Sequence, residues 1–258
     1  PNSELTALEK RFRNILDAYL AYDREKIKIE GGFSMVRDDY DNFNNLDKTD
    51  NMFSGAYFYQ IFPKTSIFGE YDYGVIEYDT NRTNSDSKYH QGRLGVEGNL
   101  GPKLTGTVKA GYRQVRYDED DKDDFSGFTL FGNIRYDATE RTVLNLYAER
   151  TSVESSYATN SHFEVNNIGI KLDHQLLKRL WFNGESFFQL NQYPDETIEG
   201  SRTAKRKDKL FGIGAGLKYE VNEWWLVSTG YKFKQRASNF DVFDYNDHRI
   251  LAQVLVVY

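Results

Sequence analysis

W-W-L-V-S-T-G-Y-K-F-K-Q-R at residues 224–236, a polar loop, then H-R-I-L-A-Q-V-L-V-V-Y at 248–258: this stretch decides the fold. In its first arm Trp225, Val227, Thr229, Tyr231 and Phe233 share one face, and Ser228, Gly230, Lys232 and Lys234 share the other. In the second arm Ile250, Ala252, Val254, Val256 and Tyr258 fall on one side, with Arg249 and Gln253 opposite. A period of two puts successive side chains on opposite faces of a strand, so each face of this hairpin meets a different solvent. The hairpin ends on an aromatic ring, which suits a lipid–water boundary better than the bare edge of a water-soluble sheet. The rest of the chain reads as repeats of this hairpin.

Bulk composition supports that reading. The chain has 258 residues, of which 16% are aromatic, with 19 Tyr and 18 Phe. Mean hydropathy is -0.69. No run approaches the roughly 18 apolar residues of a membrane helix. A barrel strand needs only about ten residues, half of them polar. The 4 prolines fit a chain held mostly in a ladder. With 0 cysteines, disulfide scaffolds, thiol catalysis and Cys-rich metal sites are excluded. A net charge of -6 gives no basic footprint for nucleic acid.

Tight turns recur at Asp23-Arg24-Glu25, Phe62-Pro63-Lys64-Thr65, Gly101-Pro102-Lys103, Asp137-Ala138-Thr139-Glu140, Leu177-Lys178-Arg179 and Val221-Asn222-Glu223. Their spacing of roughly 36 to 45 residues is a two-strand unit. Between them lie longer polar loops: Asp41–Thr49, Asp79–Ser87, Asp118–Phe125, Val153–Ser161, Tyr193–Arg206 and Ser238–Asn246. Short turns at one end and long loops at the other is the asymmetry of an outer-membrane barrel. The expected fold is therefore all-β: a transmembrane antiparallel up-and-down barrel with about thirteen strands in this sequence, part of a 14- to 18-stranded barrel. Residues 1–10 read as an outer loop or short helix, and 11–258 as the barrel domain. Barrels of even strand number place at least one further strand upstream, and with no secretory signal visible at residue 1 the sequence reads as mature or truncated. From Arg11 onward a strand is favoured, although Leu5, Leu8, Phe12, Ile15, Leu16 and Tyr19 also fit a helical stripe.

Every strand repeats the two faces. Phe53, Tyr57 and Tyr59, then Ile67, Tyr71 and Tyr73, then Leu94 and Val96, form the apolar side. Opposite them fall charges of both signs: Glu70, Asp72, Arg93, Glu97, Lys109, Arg113, Arg135, Glu149, Lys171, Glu185, Lys232, Lys234 and Arg249. A dry core could not hold so many ions without pairing each one. A water-filled bore can, so these thirteen residues are the expected pore lining.

Other stretches carry blander readings. Tyr117–Asp124 is densely acidic and could hold Ca2+ or bridge lipopolysaccharide through divalent ions. It lacks the glycine and terminal glutamate of an EF-hand, so a solvated loop is favoured and no metal site is assigned. Arg202 with Lys205-Arg206-Lys207 is a small basic cluster, read as solvated charge in a loop, with contact to anionic lipid sugars as the functional alternative. Gly212-Ile213-Gly214-Ala215-Gly216 contains G-x-G but no following helix, so it makes no nucleotide site. Its small inward residues would relax the sheet or widen the bore. Asn81-Arg82-Thr83 matches a glycosylation acceptor by pattern only. His90, His162, His174 and His248 show no metal-ligand spacing. No cofactor and no catalytic triad are read from the sequence.

Four stretches carry a resemblance: F-P-K-T-S-I-F-G-E-Y-D-Y (62–73), D-F-S-G-F (124–128), A-T-E-R-T-V-L-N-L-Y-A-E-R (138–150) and G-Y-K-F-K-Q-R-A-S-N-F-D-V-F-D-Y-N (230–246). In this order and spacing they resemble the outer-membrane β-barrel family associated with exopolysaccharide biosynthesis loci, the type 2 β-barrel porins. The resemblance covers 26–258. It implies a bacterial outer-membrane protein and a passive conduit linked to polysaccharide export, not an enzyme, and it supplies no catalytic residues. The expected partners are outer-membrane lipid and lipopolysaccharide, and a polysaccharide or small hydrophilic solute. A general small-solute porin is the first alternative. A structural barrel enclosing or docking a periplasmic or surface protein, such as an electron conduit or filament, is the second.

Overall fold

The computed structural model describes residues 10–80, 84–119, 122–155 and 160–256. The segment at 1–9, the acceptor pattern at 81–83, the middle of the acidic run at 120–121 and the final Val257 and Tyr258 lie outside the described residues. Among the described residues no helix is long and apolar enough to cross a membrane. The strands are β1 (Arg11–Arg24), β2 (Ile27–Tyr40), β3 (Lys48–Phe62), β4 (Thr65–Tyr78), β5 (Ser87–Gly101), β6 (Leu104–Tyr117) and β7 (Phe125–Thr139). They continue as β8 (Thr142–Glu154), β9 (His162–Leu177), β10 (Leu180–Glu199), β11 (Arg202–Glu220), β12 (Trp225–Ser238) and β13 (Tyr245–Val256). Two single turns of 3-10 helix, Asn44–Leu46 and Asp241–Phe243, sit in the loops after β2 and β12.

All 13 strands form one sheet in sequence order, each antiparallel to the next. The stretch from Arg11 is a strand, registered with β2 from Arg11 opposite Tyr40 to Arg24 opposite Ile27. Strand pairing wins over the helical stripe because β2 offers it a full ladder of partners. Among the described residues no pairing joins β1 to β13, so the sheet has two free edges. β1 and β13 run in the same direction, and antiparallel closure takes an odd number of further strands.

The sheet is curved, and side chains show which face is concave. Lys28 Nζ on β2 lies 3.4 Å from Glu97 Oε1 on β5. Three strand spacings in a flat sheet are about 14 Å. The Tyr117 hydroxyl on β6 donates to Glu154 on β8 at 3.1 Å. Only an inward curl brings such side chains together. On the convex face Leu94 is 74% exposed, Ile168 61% and Ile250 84%. With Phe12, Phe53, Tyr71 and Tyr112 they form a continuous apolar wall far beyond the few hundred Å2 usual on a soluble monomer. Hydrocarbon is the solvent that fits it.

Glycines let large rings lie flat on the concave wall. Phe68 sits opposite Gly95, Tyr89 opposite Gly74, Tyr147 opposite Gly169 and Phe187 opposite Gly212. A Cβ on Gly212 would lie 2.1 Å from the Phe187 ring, and one on Gly169 would lie 2.3 Å from Tyr147. Each ring therefore covers the bare backbone of its cross-strand partner instead of standing out from the wall.

One loop expectation is corrected. Residues 193–206 are not a polar loop. β10 and β11 run on to Glu199 and Arg202, joined by Gly200 and Ser201 alone. Gly200 takes φ 58°, the left-handed conformation such a two-residue turn uses. A register shift between Gln192 and Glu196 lets this hairpin stand beyond its neighbours.

Substituting Gly212→Ala is expected to destabilise the fold by about 1–3 kcal/mol, because the Phe187 ring must leave its seat. Gly132→Ala, where nothing lies within 4 Å, should change little. Urea titration of the barrel in lipid vesicles, followed by tryptophan fluorescence, measures both.

Candidate functional site

Strand register carries all thirteen charges singled out in the sequence to the concave face. Glu70 opposes Arg93, Lys171 opposes Glu185, and Lys232 opposes Arg249. Arg113 lies opposite Gln91, which itself opposes Asp72. Side-chain contacts divide them into two groups.

The first group is a network on β4, β5 and β6. Arg93 Nη2 donates to Asp72 Oδ2 at 2.6 Å, and its Nε also contacts Glu70. Lys109 Nζ reaches across β5 to Glu70 Oε1 at 2.8 Å. The Arg113 guanidinium lies 4.0 Å from the centre of the Tyr89 ring. Beside it Glu97 is held by Lys28 of β2, which also bonds Glu30 at 2.9 Å. Cations and carboxylates alternate here, so each limits the desolvation cost of the next.

The second group is more open. Glu185 on β10 and Lys232 on β12 meet at 2.6 Å above Gly214 of the strand between them. A Cβ on Gly214 would crowd both, lying 3.0 Å from Glu185 Cγ and 3.3 Å from Lys232 Cγ. A cavity of about 730 Å3 opens there, lined by Lys171, Asn183, Glu185, Gly216, Lys218 and Lys232 among others. Gly214, Ala215 and Gly216 supply part of its lining. Arg135 bonds Asp137 at 2.9 Å, and Arg249 bonds Asp247 at 2.6 Å. Glu149 and Lys171 are exposed, and Lys234 lies 5.7 Å from the Tyr245 ring.

Sequence reasoning missed the aromatics on this face. Phe58, Phe68, Phe131, Tyr147, Trp181 and Phe187 all share it by register. Lys28 lies 4.0 Å from the Phe58 ring centre, Lys109 5.3 Å from Phe131, Lys218 5.5 Å from Trp181 and Lys171 5.9 Å from Tyr147. All are within cation–π range. For Phe68, Tyr147 and Phe187 the available signal was a glycine at the cross-strand position, which only the register identifies.

The long-loop end of the concave face is packed more tightly than its middle. At the long-loop end Ile76, Tyr78, Tyr89, Val115 and Phe125 pack into a buried cluster, and Phe163, Val165 and Tyr193 into another. Arg206, placed by sequence in a solvated basic cluster, is 0% exposed. It bonds Asp208 at 2.6 Å and stacks 3.5 Å from the Phe243 ring centre. Arg236 donates to the Phe243 carbonyl, so the loop after β12 is tucked inward. Phe243 of the loop after β12 and Tyr245 at the start of β13 supply the rings that cover these cations.

Asp39, Asp47 and Asp79 bring carboxylate oxygens within 4.8 Å of one another. Arg37 already serves them: it donates to Asp39 at 2.9 Å and Asp79 at 2.8 Å, and holds the Asp79 carboxyl below the usual range. Asp47 accepts from the Tyr40 amide at 2.6 Å. The cluster therefore has an organic cation and does not call for a metal. His90 and His248 sit on the convex face, bonded at Nδ1 to the Tyr71 and Tyr231 hydroxyls at 2.5 and 2.7 Å.

An antiparallel meander with a greasy convex wall and a charged concave one defines a bacterial outer-membrane barrel of the channel class. Residues 21–258 match the family described as Putative beta-barrel porin 2, and the chain belongs to that family. Solved structures agree in fold. The outer membrane channel DcaP of Acinetobacter baumannii is 13% identical at TM-score 0.59, over 94% of this chain and 84% of that one. The FrpB iron transporter of Neisseria meningitidis (F3-3 variant) is 11% identical at 0.58, over 93% and 45%. The siderophore receptor PiuA of Acinetobacter baumannii is 11% identical at 0.51, over 88% and 47%. The chain spans under half the length of the last two. No curated protein matches the sequence.

Replacing Asp208 by Asn leaves the buried Arg206 without its counter-charge and should destabilise the protein by about 3–5 kcal/mol. The expected readout is a lower urea midpoint together with faster proteolysis at the Gly200 turn.

Proposed function

We propose that the concave face lines a conduit through the outer membrane for a hydrophilic carbohydrate polymer, as in exopolysaccharide export. The observation that carries this reading is the row of half-buried rings beside cations on the concave face: Phe131 with Lys109, Tyr147 with Lys171 and Trp181 with Lys218. A sugar ring offers C–H groups to an aromatic face and hydroxyls to nearby ions. A ladder of such pairs gives many weak, equivalent contacts, which lets a chain slide without being held. Mixed charge adds no strong preference for either sign. In this reading residues 11–258 are the barrel domain and the thirteen charges named above line its passage.

Reconstituted protein is expected to conduct in planar bilayers, and the polysaccharide made by the same cell should block the current. Lys171→Ala combined with Trp181→Ala should weaken that block about two- to tenfold, the range of lost cation–π and stacking contacts. Conduction without block would make the protein a small-solute porin. A sealed barrel, or a second chain co-purifying in fixed ratio, would replace the conduit reading with a structural one. Glu70→Gln leaves Arg93 and Lys109 in excess and should shift the reversal potential in a KCl gradient toward anions.

A further inference from the structure

β11 carries a second pattern that the conduit does not use. Arg206, Asp208 and Leu210 point inward and are buried to 0%, 0% and 1% exposure. Lys205, Lys207 and Lys209 alternate with them and are exposed on the convex side. Directly below on that side come Phe211, Ile213, Ala215, Leu217 and Tyr219, the apolar wall. The strand therefore changes from lysine to hydrocarbon-facing residues between 209 and 211. Phe211 to Tyr219 spans about 27 Å along the strand, and strand tilt of about 40° reduces that to about 21 Å of height, close to a barrel's apolar band. The three lysines stand at the level of the lipid head groups on the long-loop side.

None of the three forms an ion pair among the described residues. Their cross-strand neighbours are Glu196 opposite Lys205, Gln192 opposite Lys207, and Leu190 with Ala237 on either side of Lys209. Elsewhere at this rim several convex-side cations hold carboxylates: Arg37 with Asp79, Lys88 with Asp118, Arg150 with Glu164. Arg116 is likewise without one, but it stands singly beside Lys88. Lys205 has the carboxylates of Asp195 and Glu196 nearby, whereas Lys207 and Lys209 have no such neighbour. Three cations about 7 Å apart on one side of a strand, two of them without a carboxylate and all set above a lipid-facing surface, match an anion carried by the lipid itself. Lysine stems can lie along the apolar wall while the ammonium groups reach up to the head groups.

We propose that Lys205, Lys207 and Lys209 form a docking strip for the phosphate groups of a phosphorylated glycolipid in the outer leaflet. The long-loop end is the outer one, as in barrels with short periplasmic turns. The strip spans about 14 Å, so a head group carrying more than one phosphate engages two lysines together. The proposal does not rest on what passes through the barrel.

The test is binding of diphosphorylated lipid A, its dephosphorylated form and phosphatidylglycerol to the full chain in detergent, read by native mass spectrometry. Diphosphorylated lipid A should bind best. The triple variant Lys205→Gln, Lys207→Gln, Lys209→Gln should bind it roughly 100-fold more weakly, about fivefold per lysine. Lys209→Gln alone should lose about fivefold, which keeps the test open if the triple variant folds poorly. A triple variant of equal charge change at the short-turn end, Lys26→Gln, Lys64→Gln, Lys178→Gln, should bind as the parent does. Undiminished binding by the strip variants, or equal binding of dephosphorylated lipid A, overturns the proposal. Equal binding of phosphatidylglycerol overturns the assignment to the outer-leaflet glycolipid.

Discussion

Backbone hydrogen bonding in a medium without water is the constraint on which the rest of the structure depends. In hydrocarbon an unpaired amide or carbonyl costs several kcal/mol, so a chain with no membrane helix must cross as laterally paired strands. Here that pairing runs unbroken through thirteen strands. Once the ladder is set, each side chain can take only one of two directions. The composition then follows: rings and aliphatic chains where lipid is the solvent, ions where water or a polar cargo is. The same rule accounts for the short turns at one end of the sheet, five of two residues and one of four, since little more is needed to reverse a strand at a lipid boundary.

The concave wall shows how charge and aromatic surface coexist. An ion beside a ring is stabilised by the ring's π-face and by its neighbours in the network, and the ring is held down by a glycine opposite. Phe187 over Gly212 and Tyr147 over Gly169 are two instances of the same joint. It packs the wall without filling the space in front of it. Gly214 does something related for ions, letting Glu185 and Lys232 close over a strand that has no side chain to separate them.

The long-loop end follows different rules. There the loops fold back, and cations such as Arg206 and Arg236 are covered by Phe243 and Tyr245. A fully buried arginine is tolerable because Asp208 supplies its counter-charge within the same strand. This end is therefore built like the core of a soluble domain, set on a sheet whose middle is built for lipid and water.

How much of this was legible beforehand depends on how far apart in sequence the interacting groups lie. Alternation is local, so the sequence alone determined most of the strands and turns, the two faces and the face on which each of the thirteen charges falls, but not the hairpin at 193–206, whose polar letters read as a loop. It could not determine which strand residue stands opposite which. Register over 20 to 40 residues is a matter of pairing between segments, and it decided the ring-on-glycine joints and the ion pairs that cross a strand. Lys205-Arg206-Lys207 shows the limit. Read as letters it is one basic cluster. The tertiary structure sends Arg206 inward to Asp208 and Phe243 and leaves the two lysines outside, because a strand gives adjacent residues opposite solvents and only the folded loop supplies the cover for one of them.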